Sequence, residues 1–152
     1  MVAYSFKGMF RTAIRIGLGL EAEDPEPGAR RAKRHTIRAR GKRRHARPGD
    51  LLQLYRGMRT KQCELIGLAR CEYADEVTLH FIAPGGGRVE IGPLVRYVTP
   101  KELDAFARSD GFADWQCLRD FWRDNHPDEF RAGKFLQGVI IGWRPLTAAE
   151  AL

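Results

Sequence analysis

Between Arg30 and Arg47 the sequence RRAKRHTIRARGKRRHAR carries ten of the chain's 26 lysines and arginines and no acidic residue. The whole chain nets +7, so everything outside this segment sums to −3. Basicity confined in this way is the footprint of a polyanion site rather than of general solubility. Ammonium and guanidinium donors neutralise phosphates, and Arg34, His35, Arg38, Arg40, Lys42, Arg43, Arg44 and Arg47 are the residues expected to do so. Metal chemistry is not expected. His35, His45, His80 and His126 show no i, i+4 ligand spacing, and Cys63, Cys71 and Cys117 form no CxxC pair. An odd number of unpaired cysteines reads as free thiols in a reducing compartment, with no cofactor implied.

These groups need a scaffold, and 152 residues with 43% hydrophobic content suffice for one domain with a real core. The patterning is α+β. Ala3 to Phe6 reads as a short strand and Met9 to Gly17 as one or two helical turns. An acidic, proline-bearing insertion follows at about 19–29, with Glu21, Glu23, Asp24 and Glu26 exposed. These acids precede the basic run closely enough to fold over it as an internal decoy, or they serve only as a solvated loop. Thr36 to Ala39 is expected as a strand, Arg40 to Arg47 as a mobile loop on the rim of a cleft, and Pro48-Gly49-Asp50 as a tight turn. Two strands are expected around Gly57, then a hairpin of Val77–Ile82 and Arg88–Ile91 joined through Pro84-Gly85-Gly86-Gly87. Helices are expected over Pro100–Arg108 and Trp115–Asn125, with Trp115, Phe121 and Trp122 as core, and a last strand over Gly138–Trp143. Short strands with helices inserted near the ends point to a small mixed barrel. No stretch approaches the roughly 20 apolar residues needed to span a bilayer, so a cytoplasmic protein with no membrane partner is expected.

Four stretches in order carry a resemblance: KRHTIR, RPGDLLQLY, GMRTKQC, and DGFADWQCLRDFW followed by FLQGVIIGW. Together they resemble the ASCH superfamily, which has a PUA-like β-barrel with peripheral helices and is associated with RNA. GMRTKQC is similar to a bacterial and phage branch. The resemblance covers most of the chain from Tyr4 to Trp143. It implies RNA, single-stranded in particular, or a nucleoside as partner. It also implies an RNA-directed hydrolase, with a single-strand ribonuclease as the leading activity. The alternatives are an amidohydrolase that deacetylates acetylcytidine and a non-catalytic module that binds RNA or a modified nucleotide. A basic loop docking an acidic protein is a further reading of the charge alone.

In the amidohydrolase branch, the K-x-x-T-x-R motif implies Lys33, Thr36 and Arg38 as site residues. Asp110 of the DGF step stands near a glutamate position of that branch with a shorter arm. On a strand Thr36 and Arg38 share a face, and Lys33 joins them only if the chain bends at Arg34 or His35. A threonine hydroxyl needs a base, and a desolvated lysine among arginines can be one. The ribonuclease reading uses Tyr55 and Lys61, which bracket the RGMRT turn and would approach across the hairpin. There Lys61 would act with Arg56, Arg59 or Arg38 to hold the phosphate and stabilise its transition-state charge.

Overall fold

The computed structural model describes residues 1–26, 31–82, 84–128, 130 and 135–151. Positions 27–29 of the acidic insertion and Arg30 at the head of the basic run lie outside the described residues. In chain order the elements are β1 (Val2–Phe6), a 3₁₀ turn (Gly8–Phe10), α1 (Arg11–Gly17), β2 (His35–Ala39) and β3 (Leu51–Arg56). Next come β4 (Glu64–Ile82), β5 (Gly86–Ile91), β6 (Val95–Tyr97), α2 (Pro100–Ser109), α3 (Trp115–Asn125) and β7 (Phe135–Pro145). This is an α+β fold in which the seven strands of the described residues join one sheet.

The long strand β4 organises that sheet. Its first half pairs antiparallel with β3, its last residues pair with β5, and β7 runs along its other edge from Ala69 to His80. The two strands expected around residues 64–82 are therefore one strand of 19 residues. Register shifts between Leu54 and Tyr55, and between Cys71 and Tyr73, mark bulges where the pairing bends. Beyond β3 lies β1, parallel to it, and beyond β7 lies β2, antiparallel.

The expected barrel is not closed. No ladder joins β1 to β2 among the described residues; side chains from the basic segment reach the β1 carbonyls instead. Arg38 Nη2 donates to Ser5 O at 2.9 Å and Arg43 Nη2 to Ala3 O at 2.6 Å. A guanidinium that satisfies an edge carbonyl protects the strand edge while leaving space between the strands. That space becomes the site.

Local chemistry sets the helices. Thr99 Oγ1 accepts from Glu102 N at 3.2 Å while Glu102 Oε1 accepts from Thr99 N at 3.0 Å, a complete capping box with Pro100 as the first helical residue. Asp114 Oδ1 caps α3 by accepting from Cys117 N at 2.8 Å. Trp115, Leu118 and Trp122 then fall on one buried stripe, facing a core that includes Leu52, Leu54, Leu79, Ile140 and Ile141. Gly86 and Gly87, expected as turn residues, belong to β5. A Cβ on Gly87 would lie 2.6 Å from the Trp115 ring, whose Nε1 donates to Gly86 O, so the glycine is what lets α3 settle onto the sheet. No helix among the described residues is long and apolar enough to cross a membrane.

Candidate functional site

Lys33 and Asp110 meet in the interior, 2% and 3% exposed. The chain bends before β2 as the motif requires: Lys33 N donates to Ala13 O of α1, and strand pairing begins at His35. Lys33 Nζ donates to Asp110 Oδ1 at 2.7 Å and also to the Asp110 carbonyl, at the C-terminal end of α2. A cation suits unpaired helix-end carbonyls. The following residue, Gly111, has φ +95°, and a Cβ there would press on Phe10 and on the Lys33 stem. Glycine is therefore required for the turn that presents Asp110.

Lys33 Nζ also lies 4.9 Å from the Phe10 ring centroid and 6.0 Å from that of Phe6. Arg38 Nε donates to Thr36 Oγ1 at 3.2 Å, and its guanidinium lies over Phe6 and Tyr4. All four polar residues border one cavity of about 300 Å³ whose remaining wall includes Phe6, Phe10, Phe112, Phe121 and Trp122.

Burial shapes the electrostatics. Desolvation pulls the Lys33 amine below its ordinary value further than Asp110 restores it. Burial raises the Asp110 carboxyl, but Lys33 and His35 together outweigh that and hold it below the usual carboxylate range. Arg38 is likewise lowered by burial. The site is thus a carboxylate, a lysine held nearer neutrality than usual, and a guanidinium bonded to a hydroxyl oxygen.

The structure brings together Lys33, Thr36, Arg38 and Asp110. His35 is buried behind Asp110 rather than exposed to phosphate. Arg34 turns away, donating to Gly17 O at 3.3 Å. The loop after β2 is tied down: Arg40 pairs with Glu76, Arg44 with Asp50 at 2.9 Å, and Tyr4 hydroxyl accepts from Ala46 N at 3.0 Å and contacts His45 Nδ1 at 3.2 Å. Much of the basic run is committed to the fold, while Lys42 and Arg47 remain exposed. Of the acidic insertion, Glu23 reaches Arg31 at 3.5 Å.

Tyr55 and Lys61 do not border the cavity. Tyr55 is half-buried on β3 opposite Leu65, and Lys61 sits exposed in the 57–63 turn rather than across from it. That turn holds Arg59 at φ +67° and hangs on the cavity wall through Met58 N to Ser5 Oγ and Gly57 N to Phe6 O, each 3.0 Å. Arg56 ends β3 beside Gly8.

The apolar wall was the part the pattern did not single out. Phe121 and Trp122, taken as core, border the cavity, together with Asn125 and His126, which sit one helical turn further on. The usable signal is the i, i+4 pairing of an aromatic with a polar group at the end of α3. Trp115 and Trp122 both belong to the buried core as expected, 3% and 4% exposed, and Trp122 borders the cavity as well. No group of three or more His, Cys, Asp or Glu among the described residues is placed to hold a metal ion.

No protein-family model, no curated protein and no solved structure matches the chain.

Proposed function

We propose that this chain is a hydrolase of the ASCH, PUA-like type that takes one unstacked nucleoside into its cavity and removes an acyl group from an acylated cytidine. The observation that carries this reading is the convergence of Lys33, Thr36, Arg38 and Asp110 on one aromatic-walled cavity of about 300 Å³. Small-molecule sites are mostly apolar with a few convergent polar groups, and a cavity of this size suits a single nucleoside. The mixed α+β sheet whose strands β1 and β2 both border the cavity is coarsely compatible with a PUA-like fold.

The chemistry follows from the contacts. Because Thr36 Oγ1 accepts from Arg38 Nε, its own hydrogen is directed to another acceptor. The neutral form of Lys33, made more accessible by desolvation, takes that proton as Thr36 Oγ bonds to the acyl carbon and the carbonyl electrons move onto oxygen. Arg38 and the resulting Lys33 ammonium stabilise the oxyanion in a water-poor site. Collapse breaks the C–N bond, Lys33 returns the proton to the departing amine, and water cleaves the threonine ester to release the carboxylic acid. Asp110 keeps Lys33 in place throughout. Lys42, Arg47, Arg59 and Lys61, all exposed, are available to phosphates when the nucleoside belongs to an RNA strand.

A ribonuclease built on Tyr55 and Lys61 would act at the 57–63 turn, outside this cavity, and we rank it second. Thr36→Val keeps the β-branched shape and removes the hydroxyl. It should lower deacetylation of acetylcytidine by roughly 10³-fold or more while cytidine binding changes little. Tyr55→Phe combined with Lys61→Met should leave deacetylation unchanged. Full activity in Thr36→Val would overturn the reading.

A further inference from the structure

Asp110 has a second neighbour that the reaction above does not use. His35 Nε2 lies 3.3 Å from Oδ1, the same oxygen that accepts from Lys33 Nζ at 2.7 Å. The nitrogen is fully buried, sits off the line of a good hydrogen bond, and has no other partner among the described residues. A buried imidazole nitrogen without a well-aligned hydrogen bond costs stability unless something else requires it. Its ring is held parallel to Phe106, 5.5 Å between centroids and 16° between planes, so the placement is fixed from α2. His35 does not border the cavity, although it lies 3.3 Å from Asp110, which does.

We propose that His35 is a positioning residue: it shares Asp110 Oδ1 with Lys33 and thereby sets how firmly the carboxylate holds the lysine's proton. This rests on the deacylase reading for its consequence in catalysis, but not for its physical content. A carboxylate oxygen that also faces an N–H has less negative potential to offer an ammonium. Removing His35 leaves Lys33 with Asp110 to itself, and the lysine binds its proton more tightly. The other ionisable groups around this cluster are Arg38, which faces both Lys33 and Asp110, and Tyr73, which senses Asp110 and Tyr97. Tyr97 also packs against Phe106, 5.9 Å between centroids. Tyr73 stays neutral through the neutral range, since burial pushes it up to about 12.

Two variants separate positioning from packing. His35→Phe keeps an aromatic ring against Phe106 and removes the N–H; His35→Gln keeps an N–H near the Nε2 position. The Lys33 side-chain amine is followed by NMR titration in the ligand-free full chain, and the pH profile of kcat/KM is measured with acetylcytidine. His35→Phe should raise the Lys33 midpoint by about one pH unit and so lower the rate at neutral pH about tenfold, one unit being a factor of ten in proton affinity. His35→Gln should restore most of both. An unmoved Lys33 midpoint in a folded His35→Phe chain overturns the proposal. If wild type turns over no substrate, the deacylase reading falls while the NMR titration still decides the role of His35.

Discussion

Asp110→Ala should destabilise the chain by about 3–5 kcal/mol, the range expected when one member of a buried ion pair is removed and the other charge is stranded. Lys33 is 2% exposed, packed near Phe6 and Phe10, and its Nζ donates to the carbonyl and to Oδ1 of Asp110. Asp110→Asn keeps the carbonyl and the size and should lose somewhat less. The pH dependence of that loss has a definite sign. The Asp110 carboxyl titrates below its ordinary value in the fold, so its contribution is present above the ordinary carboxylate range and disappears as pH falls through the folded value. The Lys33 amine is also lowered, so the folded chain binds fewer protons than the unfolded one between the folded value and 10.5, and stability rises with pH across that window. Asp110 raises Lys33, so in Asp110→Asn the amine sits lower still and the variant gains stability at lower pH than wild type does; the gap between them should be widest near neutrality and narrow toward both extremes. Urea unfolding across a pH series measures it. A uniform gap would mean that the pair does not carry this energy. Replacing both residues, as Lys33→Met with Asp110→Leu, should recover most of the stability, because no charge is then left alone.

Lys33→Met is the companion prediction for activity. Its stem matches the lysine's apolar path past Phe10, so the wall of the cavity is kept while the base is lost. Deacetylation should fall by roughly 10²–10⁴-fold, the usual worth of a positioned general base, and the remaining activity should lose its rising limb with pH. Asp110 stays within reach of His35 Nε2 in this variant, so the cost in stability should be smaller than that of Asp110→Ala. Rates measured on folded protein across pH check both parts. A Lys33→Met chain with an unaltered pH profile would show that another group accepts the Thr36 proton.

The sequence made the polar half of the site legible, and much of the frame. Alternation placed Thr36 and Arg38 on one face, and Pro100 at a first helical turn and the apolar stripe from Trp115 placed α2 and α3 within a residue of their observed limits. What it did not disclose was long-range. Whether β1 and β2 pair depends on where Arg38 and Arg43 send their guanidinium groups, 33 and 40 residues from the carbonyls they satisfy. An apolar period cannot tell that Trp122, a core residue, and Phe121, packed against that core, also line a cavity. The basic run shows the same limit. Counted along the chain it is a polyanion footprint, yet Arg38, Arg40, Arg43 and Arg44 are engaged by Ser5 O, Glu76, Ala3 O and Asp50. Charge density in a sequence does not distinguish cations offered to a ligand from cations that hold strands together. Asp110 lies 77 residues from Lys33 and was placed by resemblance alone; spacing within either segment could not have joined them.

The most direct measurement is to incubate the purified full chain with acetylcytidine, quantify cytidine and acetate released, and record chemical-shift changes in parallel with unmodified cytidine as control. The account predicts catalytic release of both products, with shifts confined to the cavity residues, Thr36 and Phe121 among them. No product, together with no shift at millimolar nucleoside, would contradict it.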